Sequence, residues 1–402
     1  MRRAVCFDID GVLLRGGAAL PGARAALLAL HVLRIPFVLM TNGGGMPERV
    51  RAEQVATALA APVPLEWSCD ADRLTASEVE TVCSLVRHDG AVVLSHTPLQ
   101  SLVEGTDPAL LPPAQIVDAS LAPAASPAEA AAFSAALPTL TLPLARQRLL
   151  LMGHGRYCEV AQEYGFERVT TVTDLLRRDP TRYPFPHSFL PDERAFSGEG
   201  RGAEERTAEG GGNGDAIAAI AILHDPINWA PELQVALDIL SGSGGGVSPS
   251  VQRVPLIATN ADFVFSGRHA TPRLAAGAFT HTLAALWRRL HPAAAPLHVH
   301  QFGKPETVQY HWVQHLLERA AASASAGEGA AAGGALERIY MVGDNPEADI
   351  AGANRAGAPW HSILVESGVF APRLGALNDP RHPAKTVVPT VLDAVEFIAA
   401  QK

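Results

Sequence analysis

Apolar positions along the chain fall into short buried runs that end in acidic or glycine-rich turns. Residues 4–7 are apolar and close on Asp8-Ile9-Asp10-Gly11, the pattern of a buried strand feeding a functional loop. Residues 22–34 carry Ala and Leu at helical spacing, opened by Pro21 and closed before Pro36, which predicts a helix. Residues 36–40 predict a second strand, ending in Thr41-Asn42-Gly43-Gly44-Gly45. Strand, helix, strand opens a parallel α/β sheet, whose ligands gather at the carboxyl ends of strands. Asp8 and Thr41 fall at two such ends.

The pattern returns near the C-terminus. Residues 339–342 are an apolar run ending in Gly343-Asp344-Asn345, a helix is predicted over about 347–356, and residues 361–365 predict another strand. Between these halves, residues 149–152, 217–223 and 254–258 are strand-like. The chain therefore divides into a core in two parts, 1–146 and 300–402, around an inserted α/β domain at 147–299, with a low-complexity insertion near 104–146. The biased stretches 122–144, 197–214, 241–250 and 320–335 are expected to be flexible surface insertions, because their composition offers little to bury.

Composition narrows the partners. The formal charge of −9 disfavours nucleic acid, whose backbone needs clustered Lys and Arg, but leaves room for a small phosphorylated ligand. Cys6, Cys69, Cys83 and Cys158 show no C-x-x-C pairing and no His/Cys ligand spacing, so they read as isolated reduced thiols. No unbroken apolar stretch of about 18 residues is present, so no membrane span is expected. The first strand begins almost at the first residue, leaving no visible presequence.

Four segments carry candidate chemistry. Asp8 and Asp10, two residues apart at a strand end, are expected to share a pocket, where a divalent cation offsets their repulsion; hard oxygen ligands suit magnesium. A solvated strand end is the commoner origin of a bare D-x-D. Thr41, Asn42 and Gly43 offer a hydroxyl and open amides for phosphate oxygens, although a capped glycine turn has the same sequence. Lys304, in Gly303-Lys304-Pro305, can meet phosphate as a point charge, although most lysines are solvated. Asp344 stands at a strand end where it can ligate metal. Asp349 falls in the first turn of a helix, a place that favours carboxylates in any case.

In order, these segments resemble the four motifs of the haloacid dehalogenase superfamily. Their D-x-D-G-V, T-N, G-K-P and G-D-N-x-x-x-D forms are similar to the class with a large α/β cap (class IIA), which includes p-nitrophenylphosphatase and phosphoglycolate, pyridoxal phosphate and nucleotide phosphatases. Asp10 to Thr41 leaves no room for a cap, whereas Thr41 to Lys304 does. Phe7–Gly16, Leu39–Gly45, Ser95-His96-Thr97-Pro98, His224–Trp229 and Met341–Pro346 further resemble the cat eye syndrome critical region protein 5 family, also called the haloacid dehalogenase-like hydrolase domain-containing family 5.

The resemblance implies a Rossmann-like core with a parallel sheet, an inserted cap, and a magnesium-dependent phosphatase. Asp8 is then the nucleophile and Asp10 the general acid/base. Asp8, the Asp10 carbonyl and Asp344 hold the metal, Asp349 orients its waters, and Thr41, Lys304 and the glycine amides meet the phosphate. It also implies a homodimer through the cap and a mitochondrial location, against a cytoplasmic one suggested by the missing presequence. A catalytically weak binding or scaffold protein on the same fold, tied to mitochondrial glycerophospholipid metabolism, is the rival expectation. His298 and His300 alternate on a strand, Asn228 and Trp229 adjoin a turn, and Asn260 and Asp262 follow another strand; each reads more simply as structural than as ligand-binding.

Overall fold

A computed structural model of the chain describes residues 2–64, 67–105, 110–121, 137–185, 216–242, 251–265, 271, 273–326, 336–370 and 377–401. The expected insertions at 122–136, 197–214, 243–250 and 327–335 lie outside the described residues.

The chain forms two compact units. The first comprises Met1–Asn42, Glu48–Thr97 and Gly303–Lys402. Its sheet holds six parallel strands in the spatial order Thr386–Val388, Trp360–Val365, Arg338–Gly343, Arg3–Phe7, Phe37–Met40, Val92–Val93. Chain order reverses between Arg3–Phe7 and Arg338–Gly343, which are neighbours with Phe7 opposite Val342. Ligands of open α/β sheets bind at the carboxyl ends beside such a switch point, and Asp8 and Asp344 are the residues that emerge there.

Both faces of these central strands are buried, as a parallel sheet requires. Ala4, Cys6, Met40, Ile339 and Met341 pack on Tyr310, Val313 and Leu317 of the Thr307–Ala326 helix. Tyr310 meets Trp360 edge to face at 5.0 Å.

The second unit comprises Gly43–Pro47 and Pro98–Phe302. Its sheet runs Ala114–Ile116, His298–Gln301, Leu256–Ala258, Ala219–Ile222, Arg148–Met152, Arg168–Thr171; all pairs are parallel except the first. Leu150, Met152, Ile220 and Ile222 are buried with Val235, Leu240, Phe279, Leu283 and Trp287, which come from the helices Trp229–Ser241 and Ala276–Leu290.

Two organisational expectations change. The units divide at 97/98 and 302/303, not at 146/147 and 299/300. The reason is long-range pairing: Ala114–Ile116 joins the second sheet antiparallel to His298–Gln301, and the Leu144 amide donates to the Leu102 carbonyl at 2.9 Å. The expected insertion at 320–335 is helical as far as Ala326, since its alanines extend the preceding helix at little cost. The expected helix at 347–356 opens instead with a π-turn, Pro346–Ile350, before Ala351–Ala356.

Phe279 is fully buried and meets Trp229 edge to face at 5.5 Å. Phe279→Ala is expected to destabilise the second unit by about 3–5 kcal/mol, read as a lowered urea midpoint with unchanged secondary structure.

Candidate active site

Asp8 follows the last residue of its strand, and its amide donates to the Val342 carbonyl at 2.9 Å. Its carboxylate is buried and accepts a hydrogen bond from the Lys304 ammonium. Lys304, only 3% exposed, also donates to Asp349 Oδ1 at 2.7 Å and to the Met40 carbonyl at 3.2 Å. All three of its N–H donors are thus engaged. The other Asp349 oxygen accepts from the amides of Asp344 and Asn345, at 3.1 and 3.0 Å. The widened π-turn, in which Asp349 and Ile350 both donate to the Asn345 carbonyl, carries this carboxylate back over the strand end. Asp344 Oδ2 is fixed by the Val369 amide at 2.6 Å.

Gly11 shapes the remaining wall. Its φ is +101° and a Cβ there would strike the Asp344 carboxylate, so both the backbone geometry and the close approach require glycine.

Among the described residues, Asp8, Asp344 and Asp349 bring ligand oxygens within 4.8 Å of one another. Three buried carboxylates surround one ammonium. Burial raises the Asp8 carboxyl well above its usual range, with Asp349 and Asp344 adding to the rise and Lys304 opposing it. Burial alone would lower Lys304, but Asp349 and Asp8 outweigh it and hold the ammonium well above the usual lysine range. Asp344 is pushed up to about 7, by burial first and by Asp349 second. The site therefore has more negative charge than its lysine offsets, and the all-oxygen donor set fits a hard divalent cation. Asp8, Asp344 and Asp349 would hold it. Asp349, expected from sequence only to orient waters, lies within the group of ligands itself.

Asp8 and Asp10, expected to share a pocket, occupy unlike environments. The Leu13 and Leu14 amides both return to the Ile9 carbonyl, so the strand pleat ends and its alternation no longer applies. The Asp10 side chain is 59% exposed and pairs with Arg51 of the Glu48–Ala60 helix at 2.6 Å. Arg51 was not legible as a site residue, because Arg on a solvent-facing helix is ordinary.

Asn42 also has a structural task. Its side-chain amide donates to the Lys304 carbonyl at 2.9 Å and its side-chain oxygen accepts from the Lys304 amide at 2.7 Å. The side chain thus clamps the Lys304 loop, through contacts that do not involve the backbone amide expected to meet phosphate. Thr41 is buried at the end of Phe37–Met40, its amide held by the Val93 carbonyl at 3.0 Å. Gly43 is exposed and belongs with the second unit.

The other noted residues have structural partners. His298 and His300 donate from Nδ1 to the Pro296 and Pro112 carbonyls, both at 2.8 Å, and burial lowers the pKa of each. Trp229 donates to the Pro226 carbonyl at 2.7 Å, and Asn260 accepts from the Asp262 amide at 2.8 Å in a turn. The four cysteines are free, with Cys6, Cys83 and Cys158 buried and Cys69 exposed. Among the described residues no helix is long and apolar enough to cross a membrane.

Known proteins share the sequence pattern and the fold. A haloacid dehalogenase-like hydrolase model matches residues 5–167, and a HAD-hydrolase-like model matches 301–394. A mitochondrial hydrolase of Saccharomyces cerevisiae is 27% identical over 386 residues, covering 91% of this chain and 88% of the relative. A cardiolipin synthase (CMP-forming)/mitochondrial hydrolase fusion protein of Schizosaccharomyces pombe is 26% identical, covering 98% of this chain and 53% of the relative. The chain thus spans about half the length of that second relative. Two solved structures share the fold. A p-nitrophenyl phosphatase from Archaeoglobus fulgidus has a TM-score of 0.53 at 12% identity, covering 98% of both chains. A 4-nitrophenylphosphatase from Thermotoga maritima has a TM-score of 0.53 at 16% identity, covering 98% of this chain and 97% of the other. The chain belongs to the haloacid dehalogenase-like hydrolases, in the class that carries its second α/β unit between the second and third motif segments. It is an enzyme of hydrolase type.

The excess charge has a pH signature. Between the ordinary value of 3.8 and about 7, folded Asp344 keeps a proton that the unfolded chain has released. Without metal, stability is therefore highest at the acid end of this window and falls as pH rises through it. A divalent cation held by Asp8, Asp344 and Asp349 would require that proton to leave, so its stabilising effect would grow over the same window. Melting temperature against pH, in chelator and in magnesium, should show the two curves separating toward pH 7 and above. Parallel curves would contradict the charge imbalance.

Proposed function

We propose that the first unit hydrolyses a small phosphate monoester through an aspartyl-phosphate on Asp8, with magnesium. The observation that carries the reading is the buried Lys304 ammonium shared by Asp8 and Asp349 beside Asp344, at the switch point of the sheet. Within its own network the lysine holds the Asp8 oxygen in one orientation, and Asn42 holds the lysine loop. Asp8 attacks phosphorus in line, and the bond to the leaving oxygen breaks. Asp10, exposed and tethered by Arg51, protonates that oxygen and then takes a proton from the water that attacks the phospho-aspartate. Thr41 offers its hydroxyl to the phosphoryl oxygens, and Lys304, whose three donors are engaged by Asp8, Asp349 and the Met40 carbonyl, supplies its positive charge beside them. The cation, when bound, offsets the combined charge of carboxylates and phosphate.

The phosphatase names of the structural neighbours support the reaction class. The word mitochondrial in the names of two curated relatives supports a mitochondrial location.

Asp8→Asn is expected to abolish turnover of p-nitrophenyl phosphate, and chelator to suppress the wild type reversibly. Retained turnover in Asp8→Asn would end the proposal. Arg51→Ala is expected to lower kcat by about tenfold or more on alkyl phosphates, whose leaving oxygen needs a proton, and by less on p-nitrophenyl phosphate. Equal losses on the two substrates would show that Arg51 does not position the acid.

A further inference from the structure

The first unit contains a charged feature that the hydrolytic site does not use. Arg24 stands in the first turn of the Ala23–Val32 helix and is only 7% exposed. Its Nε is buried without a hydrogen-bond partner, and among the described residues the side chain forms no ion pair. A guanidinium stays charged at any pH the protein meets, so burial cannot be relieved by loss of a proton. A charge held largely out of water without a partner is costly, and a counter-ion from outside the chain would relieve it.

Arg24 lines a cavity of about 650 Å³, a size typical of sites for small organic ligands. Two acids share the lining, yet neither serves as its counter-ion. Asp72 accepts from the Gly22 amide at 3.0 Å through one oxygen, and from the Cys69 amide at 3.1 Å through the other. Asp70 is exposed and pairs with Arg73 at 3.3 Å. The opposite wall, made by Ala60, Pro62 and Val63, is apolar.

We propose that this cavity binds a small organic oxyanion, whose carboxylate or phosphate is held by Arg24 and whose body lies on Ala60, Pro62 and Val63. The guanidinium fork suits both head groups, since each presents paired oxygens. The remaining lining carries two carboxylates, Asp70 and Asp72, against Arg73; both acids are engaged elsewhere, so the pull on an anion comes from Arg24 itself and not from a net positive charge of the cavity.

The test uses the full chain in chelator, so that the hydrolytic site attracts no anion through metal. Melting temperature is followed against sulfate, as a phosphate analogue, and against acetate, as a carboxylate, each balanced with chloride to constant ionic strength. Sulfate stabilises most proteins by exclusion from their surface, so the readout is the difference between wild type and variants. Wild type is expected to show a saturable rise with at least one anion. Arg24→Met should lose it and Arg24→Lys should weaken it by about tenfold or more. A response to sulfate alone identifies a phosphate head group, and a response to acetate alone identifies a carboxylate.

Two results would overturn the proposal. One is the same anion response in wild type and Arg24→Lys, the variant that keeps the charge if Arg24→Met does not fold. The other is a wild-type response to sulfate and to acetate that rises linearly without saturating and is unchanged in Arg24→Met, the behaviour of exclusion from the surface alone.

Discussion

Three carboxylates buried around one ammonium set the terms for the first unit. Asp8, Asp344 and Asp349 cannot all be ionised at low cost when, among the described residues, Lys304 is the one cation paired within the cluster, and the raised Asp8 and Asp344 carboxyls express that imbalance. Such a cluster persists only where its members are held from outside. Asn42 fixes the lysine loop, the Val369 amide fixes Asp344, and the amides of Asp344 and Asn345 fix Asp349. Tyr310, donating to the Asp349 carbonyl at 2.9 Å, ties the π-turn to the helix beneath the sheet. The imbalance is useful to a hydrolase: a site short of positive charge when empty is prepared to gain it from a divalent cation, and the same cation offsets a dianionic substrate.

Topology explains how residues from opposite ends of the chain reach one point. Arg3–Phe7 and Arg338–Gly343 are adjacent and parallel, so their carboxyl ends open on the same rim. The Phe37–Met40 strand lies on the other side of Arg3–Phe7 and delivers Thr41 and Asn42 there. Three strand ends and one loop thus meet, with positive φ at Gly303 before Lys304 and at Gly11, where it lets the chain pass close to Asp344. The insertion of a whole second unit between Pro98 and Phe302 leaves this sheet intact, because it enters and leaves through connections rather than strands.

Local patterning made the buried strands and the acids at their ends legible in the sequence. An apolar run stopped by Asp or Gly is a local signal, and both central strands, with Asp8 and Asp344 beyond them, came from it. Features that depend on distant partners were not legible. The Ala114–Ile116 strand is exposed throughout and has no alternation of burial; it exists because His298–Gln301 pairs with it. The Asn42 clamp was not legible because its partner, Lys304, is remote in sequence. The π-turn at Pro346–Ile350 reads as an ordinary helix start, since one extra residue in a turn leaves no trace in composition.

The divergence of Asp8 and Asp10 is the most informative of these differences. Two acids two residues apart read alike in the sequence, yet one is buried against an ammonium and the other is exposed beside a guanidinium. In the proposed mechanism the pair divides nucleophile from proton carrier, and acids that do so occupy unlike environments. A nucleophile benefits from a fixed orientation and exclusion of water, which the Lys304 network gives Asp8. A proton carrier must reach a leaving group and then a water, which the exposed position gives Asp10. Arg51 resolves the cost of that exposure: a solvated carboxylate samples many rotamers, and a 2.6 Å pair to a helix-borne guanidinium removes much of that freedom before substrate arrives. Hence the short turn after Phe7 matters as much as the acids themselves, because ending the pleat at Ile9 is what separates the two roles.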